Sequence, residues 1–141
     1  MKIKKLLDEA IIPTRGSADA AGLDLYAPFN YQLFPHTTVK VSTGIAMAIP
    51  KGYVGLIFAR SGLATKQGLR PANCVGVVDS DYRGEIIVAL HNDSDNTQTI
   101  EARSRVAQMV IIPYEAVDIE VVDELDDTER GSGGFGSTGI K

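Results

Sequence analysis

Residues 44–59 read GIAMAIPKGYVGLIFA, two apolar runs separated by proline, lysine and glycine. Short runs rich in aliphatic and aromatic residues, bounded by proline and glycine, are typical of β-strands joined by turns. We therefore predict strands at residues 44–49 and 53–59. Pro50, Lys51 and Gly52 form the turn between them.

The same pattern continues along the chain. Apolar runs occupy residues 85–91 and 105–112, residues 117–122 form a weaker one, and the polar stretch 92–96 is typical of a turn. Strands this short must lie in two facing sheets or close into a barrel, because an isolated hairpin is barely stable in water. The sequence therefore predicts an all-β fold, a jelly-roll-like β-sandwich or barrel.

Two segments depart from this pattern. Residues 61–68, SGLATKQG, begin with a serine and end with a glycine, which predicts one or two helical turns with Ser61 as the N-cap. From residue 123 the chain is first acidic and then rich in glycine. Few of these side chains can join a core, so we predict a β-domain at 1–122 and a flexible C-terminal arm at 123–141.

Composition limits the classes of function. A chain of 141 residues, 44% of them hydrophobic, is long enough for one domain with a core. A net charge of −4 disfavours binding to nucleic acid or to an anionic membrane. The lone Cys74, set among valines, is expected to be buried, and with His36 and His91 it offers no transition-metal spacing. Without a membrane span of roughly 20 apolar residues or a signal peptide, we expect a cytoplasmic protein.

The segment GVVDSDYRGE, residues 76–85, is predicted to be a hairpin between two apolar runs. Asp79 follows Val78 directly, where a rigidly held carboxylate can act as a general base on water. For Asp81 a structural role in the turn is the first expectation. Tyr82 either packs on the sheet or offers a flat wall to a sugar ring.

Other polar residues lie at the end of a predicted strand or within a strand whose other residues are apolar. Arg60, Ser61 and Gly62 lie at the predicted start of the helix, where free N–H groups bind phosphate or where Ser61 simply caps. Asp24, in AGLDLYAP, is either a salt-bridge partner or a residue that holds Mg²⁺ through its waters. Gln108, in RVAQMV, either bonds to backbone or donates to a phosphate oxygen.

The stretch RGSGGFGSTG, residues 130–139, is the most unusual local composition. It is either a disordered terminus or a mobile clamp, in which Arg130 and glycine N–H groups meet phosphate while Phe135 covers a base. It lacks the lysine and the following helix of a P-loop, which excludes a P-loop NTPase.

Five segments occur in one order along the chain: AGLDLYAP, ARSGLA, GVVDSDYRGE, RVAQMV and RGSGGFGSTG. This order resembles the five motifs of the trimeric deoxyuridine triphosphate nucleotidohydrolase (dUTPase) family, and the resemblance runs from about Ala21 to the end. It implies hydrolysis of dUTP to dUMP and pyrophosphate with Mg²⁺. It also implies a homotrimer whose active sites are shared between subunits, with the arm delivered by a neighbour.

The resemblance also implies roles for single residues. Asp79 matches the aspartate that activates the attacking water, and Tyr82 the tyrosine that leaves no room for a 2′-hydroxyl. Asp24 corresponds to an aspartate near a water-bound Mg²⁺ that is held mainly by substrate phosphates. The remaining substrate-binding positions would be Arg60, Ser61, Gly62, Asn73, Gly76, Val78, Gln108, Arg130, Phe135, Gly136, Ser137 and Thr138.

One departure and two alternatives accompany this interpretation. The fourth motif of the family usually reads glycine–aspartate before its arginine, whereas Arg103 and Ser104 precede Arg105 here. The nearest alternative activity is that of a dCTP deaminase, which shares the expected fold. The other alternative is a non-catalytic β-sandwich binding module.

Overall fold

A computed structural model describes residues 1–135, and within them it contains eleven strands and one helix. In chain order these are β1 (Lys2–Lys5), β2 (Thr14–Arg15), β3 (Leu23–Tyr26), β4 (Tyr31–Leu33), β5 (Thr38–Ala48), β6 (Tyr53–Phe58), α1 (Ser61–Gln67), β7 (Leu69–Pro71), β8 (Gly76–Val78), β9 (Glu85–Asn92), β10 (Gln98–Ile100) and β11 (Arg105–Pro113).

The strands form three antiparallel sheets. The four-stranded sheet has the order β1-β5-β9-β7, the five-stranded sheet β2-β3-β11-β6-β8, and β10 pairs with β4 alone. Strands that follow each other in the chain rarely pair, so most hydrogen bonding joins distant segments. The predicted all-β jelly-roll-like sandwich is confirmed.

One buried cluster joins the sheets. Strand β9 alternates, with Ile86 and Val88 buried and Ile87 exposed. The cluster combines such residues with Leu25 and Met109 of the five-stranded sheet. Each large aliphatic side chain buried in this way contributes roughly 1.5–3 kcal/mol to stability. The two large sheets therefore face each other across a shared core.

Most strand predictions are confirmed within one residue: those at 53–59, 85–91 and 105–112 correspond to β6, β9 and β11. The turn at 50–52 is present, with the Tyr53 N–H donating to the Pro50 carbonyl at 3.1 Å and Gly52 at φ 83°. Strand β5 begins earlier than the predicted strand at 44–49 because the pairing with β9 continues across an irregularity between Ser42 and Ala46.

The predicted strand at 117–122 is wrong for the single chain. The last strand ends at Pro113, and residues 114–122 adopt no regular structure. Val117, Ile119 and Val121 are 78%, 91% and 94% exposed. Their alternation is that of a strand with one apolar face, but a strand also needs a partner edge. Within residues 1–135, no strand pairs with this segment.

The predicted burial of Cys74 is also wrong, because the thiol is exposed. Cys74 lies in a turn with φ 62°, and its backbone N–H donates to the Pro71 carbonyl at 3.1 Å. Its valine neighbours do not form a buried run, since Val75 and Val77 are exposed too. A run of valines before a turn is therefore not sufficient to predict burial here.

The helix ends as predicted and begins differently. Gly68 takes the left-handed conformation, φ 67°, that ends a helix. Arg60, not Ser61, is the N-cap, and no side chain caps the helix, so the capping role predicted for Ser61 is wrong. Within residues 1–135, no helix has the length and apolarity that crossing a membrane requires.

Candidate active site

The segment 79–84 connects the two large sheets. Strand β8 pairs with β6, whereas β9 pairs with β5 and β7, so the predicted hairpin of residues 76–85 is wrong. The connection DSDYRG is longer than the two-residue turns that favour hairpins. It carries the chain from the edge of one sheet to the other, and we call residues 79–84 the crossing turn.

A cavity of about 230 Å³ opens beside the crossing turn, between the sheets. Its lining combines an apolar floor with a polar rim: Ile57, Asn73, Gly76, Val77, Val78, Asp79, Tyr82, Glu85, Ile86 and Ile87. The structure thus brings five residues predicted from the sequence around one cavity. They are Asn73, Gly76, Val78, Asp79 and Tyr82.

Asp79 stands at the rim. It directly follows Val78, the buried last residue of β8, and its side chain is exposed. Asp79 also lines a second cavity of about 600 Å³, together with Lys51, Asp81 and Arg83. A carboxylate reached from both cavities can contact a ligand in one and water in the other.

Tyr82 is held at the hydroxyl end of its ring. Its hydroxyl donates to the Glu85 carbonyl at 3.0 Å. The ring lies against Gly84, where an added Cβ would be 2.5 Å from Cζ and 3.0 Å from Cε2 of Tyr82. The side chain remains 45% exposed and presents a flat face to the cavity.

Glu85 and Arg83 hold the crossing turn in place. The Glu85 carboxylate accepts from the Gly44 N–H at 2.8 Å and from the Ser42 hydroxyl, which ties the turn to β5. The Arg83 guanidinium donates to the Ser80 and Tyr82 carbonyls, both at 2.8 Å. Sequence analysis assigned no role to Glu85, because an acid at the start of a strand carries no distinguishing signal.

A second group of predicted residues surrounds Asp24. This carboxylate is buried and pairs with the Nε atom of Arg60 at 3.1 Å and with Nη1 of Arg105 at 3.2 Å. Gln108 lies opposite Asp24 on β11, and its amide donates to the Ala59 carbonyl at 3.0 Å. Asp24 is therefore a salt-bridge partner, and Arg105 is a member of the group that sequence analysis missed.

Ser61 and Gly62 complete this group at the end of β6. Both are exposed, and a Cβ added at Gly62 would meet nothing within 4 Å. An amide nitrogen carries two N–H groups, so Gln108 keeps one donor beyond its bond to Ala59. Two arginines, a hydroxyl and an amide donor form a suitable surface for a phosphate group.

The two groups lie at different ends of the five-stranded sheet. Val78, next to Asp79, is opposite Gly55 on β6, and Arg60 follows five residues later in extended conformation. At about 3.3 Å per residue this separation is about 17 Å. A single chain therefore holds the cavity and the arginine–aspartate group as two separate surfaces.

Of the predicted arm residues, Arg130 and Phe135 do not line the cavity. The Nε atom of Arg130 donates to the Gly133 carbonyl at 2.9 Å, within the arm itself. Phe135 is fully exposed. The predicted positions Gly136, Ser137 and Thr138 lie outside the described residues.

The residues present suit a magnesium ion only if phosphate groups supply most of its ligands. Among residues 1–135, no three histidine, cysteine or acidic side chains are grouped to hold a metal. Asp24 supplies one carboxylate, already paired with two arginines. Mg²⁺ usually keeps several waters and binds one or two carboxylates plus substrate phosphates. This donor set fits an ion that arrives with a polyphosphate.

Together, the fold and the site define a β-sandwich protein with a cavity beside the crossing turn, a carboxylate at its rim and a separate arginine–aspartate group. A family model described as dUTPase matches residues 8–139. The chain belongs to the dUTPase family, which confirms the resemblance seen in the five motifs.

Individual proteins agree with this assignment. The chain is 48% identical to a deoxyuridine 5′-triphosphate nucleotidohydrolase of Nautilia profundicola, over 99% of this chain and 98% of that protein. It is 46% identical, over 99% and 97%, to that of a Hydrogenobaculum species. The solved dUTPase of Staphylococcus bacteriophage 80alpha with dUPNHPP superposes with a TM-score of 0.92, at 30% identity over 99% of this chain and 98% of that one.

Proposed function

We propose that this protein hydrolyses dUTP to dUMP and pyrophosphate. The observation that carries the proposal is the gathering of Asn73, Gly76, Val78, Asp79 and Tyr82 around one cavity in a member of the dUTPase family. Relatives named deoxyuridine 5′-triphosphate nucleotidohydrolase and a phage enzyme solved with a dUTP analogue support the same substrate.

The uracil ring enters the cavity between the sheets. Strand β8 is the outermost strand of its sheet, so its outer edge is available to pair with the polar edge of uracil. The Asn73 amide lies beside Gly76, where an added Cβ would be 3.5 Å from Nδ2 and 3.2 Å from the Cβ of Ile57. This close approach makes the pocket narrow and favours uracil over the larger thymine.

The deoxyribose rests on Tyr82. Because the tyrosine hydroxyl is bonded to the Glu85 carbonyl and its ring lies against Gly84, the ring cannot easily move away from the sugar. A fixed aromatic face in contact with the sugar leaves no room for a 2′-hydroxyl. This arrangement favours dUTP over UTP.

Asp79 acts as the general base. Its carboxylate takes a proton from a water that attacks the α-phosphorus in line, and the bonding electrons to the bridging oxygen leave with pyrophosphate. Magnesium, when bound with the phosphates, would neutralise their charge, and Asp24 would hold it through water. Arg60, Ser61, Gly62 and Gln108 bind phosphate oxygens.

The complete site requires several subunits. The separation of about 17 Å along the strand direction between the Asp79 region and Arg60 exceeds the reach of a triphosphate bound at Asp79. We therefore propose a homotrimer in which the cavity of one subunit meets the phosphate surface of another. The exposed Val117, Ile119 and Val121 support such an assembly, because a neighbouring sheet edge would cover them.

A third subunit supplies the arm. In this arrangement Arg130 reaches the phosphates, the fully exposed Phe135 covers uracil, and Gly136, Ser137 and Thr138 add donors to the phosphates. Closure of the arm excludes water from the reaction. Cytoplasmic location and the absence of nucleic-acid or membrane partners stay predictions from the sequence.

Pyrophosphate release from dUTP, dCTP, dTTP and UTP, with and without Mg²⁺, tests the proposal. We expect release from dUTP alone, and only with Mg²⁺. Asp79→Asn should lower kcat by about a hundred- to ten-thousand-fold while dUMP still binds, since positioned base catalysis contributes that much. Asp81→Asn, in the same turn, is the matched control and should stay close to wild type.

Each alternative predicts a different outcome. Ammonia released from dCTP would identify a deaminase. No product from any nucleotide would identify a binding module. Turnover of dUTP by Asp79→Asn at the wild-type rate would remove Asp79 from its role without removing the activity.

A further inference from the structure

A basic surface lies at the free edge of the four-stranded sheet. A depression of about 290 Å³ is lined there by Lys2, Lys4, Ala46, Ala48 and Arg83, among others. Lys2 lies opposite Ala48 and Lys4 opposite Ala46, so these four side chains project from one face of the sheet. The small alanines leave space between the lysines, and we call this surface the basic groove.

The cations of the basic groove have no acidic partner in the part of the chain that the structure describes. None of its five ion pairs includes Lys2, Lys4 or Arg83. Arg83 donates only to backbone carbonyls of the crossing turn. Three positive charges thus lie close together, uncompensated by any carboxylate within 4 Å among residues 1–135.

The arm carries the complementary charge. Residues 123–129, DELDDTE, include five carboxylates, and we call them the acidic segment. Every residue of the acidic segment is exposed, and none of its carboxylates takes part in an ion pair within residues 1–135. Within residues 1–135, two clusters of opposite charge are therefore left without ion-pair partners.

Chain length connects the basic groove with the active site. Arg83 follows Tyr82 directly and lines the cavity that also contains Asp79. Phe135 follows the acidic segment by six residues, which span at most about 20 Å when extended. An acidic segment bound in the groove would therefore hold Phe135 within reach of the uracil pocket and raise its local concentration there.

We propose that the basic groove binds the acidic segment of a neighbouring copy's arm and so guides that arm to the active site. The proposal rests on the proposed trimer, in which the arm belongs to a neighbour. The occupant is a second copy of this chain, because the complementary charge lies on the segment that must approach the crossing turn.

Charge reversal and rescue in the full-length enzyme test the proposal. Lys2→Glu with Lys4→Glu should lower kcat/KM for dUTP about three- to tenfold at low salt, the range expected for two exposed ion pairs. Asp126→Lys with Asp127→Lys should lower it similarly, and the two pairs of changes combined should restore it. The differences should vanish at about 1 M salt, where the screening length is about 3 Å.

A matched control changes the net charge elsewhere. Lys40→Glu with Lys66→Glu makes the same change in charge away from the groove and should leave kcat/KM unaltered. An equal loss in this control, or a combined variant that stays impaired, would overturn the proposal. Thermal unfolding of all variants should match wild type, because the β1–β5 pairing uses backbone groups.

Cross-linking identifies which copy provides the arm. With Cys74→Ser as background, Lys4→Cys combined with Asp126→Cys should form disulfide-linked chains on a non-reducing gel. A disulfide within single chains, or none, would overturn the proposal. Truncation before Arg130 tests the proposed function separately: if it abolishes activity while the charge variants behave as wild type, the role of the arm stands and the groove alone fails.

Discussion

Among single residues, Gly84 affects the geometry of the site because it has no side chain. The Tyr82 ring occupies the space that a Gly84 side chain would fill, with Cζ 2.5 Å from the Cβ that any other residue would add. The glycine thereby lets the ring lie close to the backbone while its hydroxyl reaches the Glu85 carbonyl. Gly84 thus determines where the ring face of Tyr82 lies, and this is the face on which we propose that the sugar rests.

Gly84→Ala should therefore weaken the discrimination between dUTP and UTP. The added methyl group displaces the ring of Tyr82 and opens space at the 2′ position, and we expect the ratio of kcat/KM values to fall about tenfold, the low end for one methylene in a pocket. Gly16→Ala, where an added Cβ would meet nothing within 4 Å, is the control. An unchanged ratio in Gly84→Ala would show that the ring position does not set the preference.

The residues of the site were predictable to different degrees. Asp79 was identified as a candidate base because it directly follows an apolar run, and the structure places it at the rim of a cavity. Glu85 and Arg105 were missed, because their roles depend on contacts with Ser42, Gly44 and Asp24, which are distant in sequence. Patterns along a single sequence indicate local structure, but they do not indicate contacts between residues that are distant in sequence.

Among the secondary-structure elements, one buried asparagine connects strands β9 and β4 with the loop that follows β9. Asn92, at the end of β9, is fully buried, and its amide donates to the Leu33 carbonyl of β4 at 2.9 Å and to the Asn96 carbonyl at 2.8 Å. Its side-chain oxygen accepts from the N–H and the hydroxyl of Ser94. Nearby, hydrogen bonds from Arg70 to Asp93 raise the pKa of that arginine, so its guanidinium stays charged.

Asn92→Ala should lower the free energy of unfolding by about 2–3 kcal/mol, because it leaves the buried Leu33 carbonyl without its donor. Asn96→Ala is a matched control in the same loop, since Asn96 contributes its backbone carbonyl to this network. We expect it to change stability by less than about 0.5 kcal/mol. Urea denaturation measures both, and equal losses would contradict the assigned role of the Asn92 side chain.

Local sequence pattern is sufficient to predict some strands but not how the strands pair. Strands β6, β9 and β11 were predicted almost to the residue, because their apolar runs are bounded by turns. The crossing turn was predicted as a hairpin, because apolar runs on both sides of a turn do not reveal which sheet each strand joins. Residues 117–122 have the alternation of a strand, but no strand within residues 1–135 pairs with them.

At the scale of the whole molecule, one chain carries every part of the proposed site without bringing the parts together. The cavity and the phosphate surface lie about 17 Å apart along the strand direction, and a threefold assembly would join them with the arm at three equivalent places. In such an assembly, activity would depend on the whole trimer, because all three subunits contribute to each site. This arrangement can be tested by complementation between inactive variants.

Subunits carrying Asp79→Asn, mixed and exchanged with subunits truncated before Arg130, should regain activity. Every mixed trimer then contains one site with an intact base and an intact neighbouring arm, so random mixing in equal amounts should restore about a quarter of wild-type activity. Exchange is verified by recovering untagged chains with tagged ones. No recovery despite verified exchange would show that base and arm act within one chain.

The exposed segment at 117–122 has a consequence before any trimer forms. A newly folded monomer displays Val117, Ile119 and Val121 to solvent, and such alternating apolar stretches are templates for aggregation. Asp118 and Glu120 are interleaved with them, and the acidic segment follows at once. Stacking identical copies in register would align like charges along the fibril axis, so these carboxylates act as gatekeepers that favour assembly over amyloid-like association.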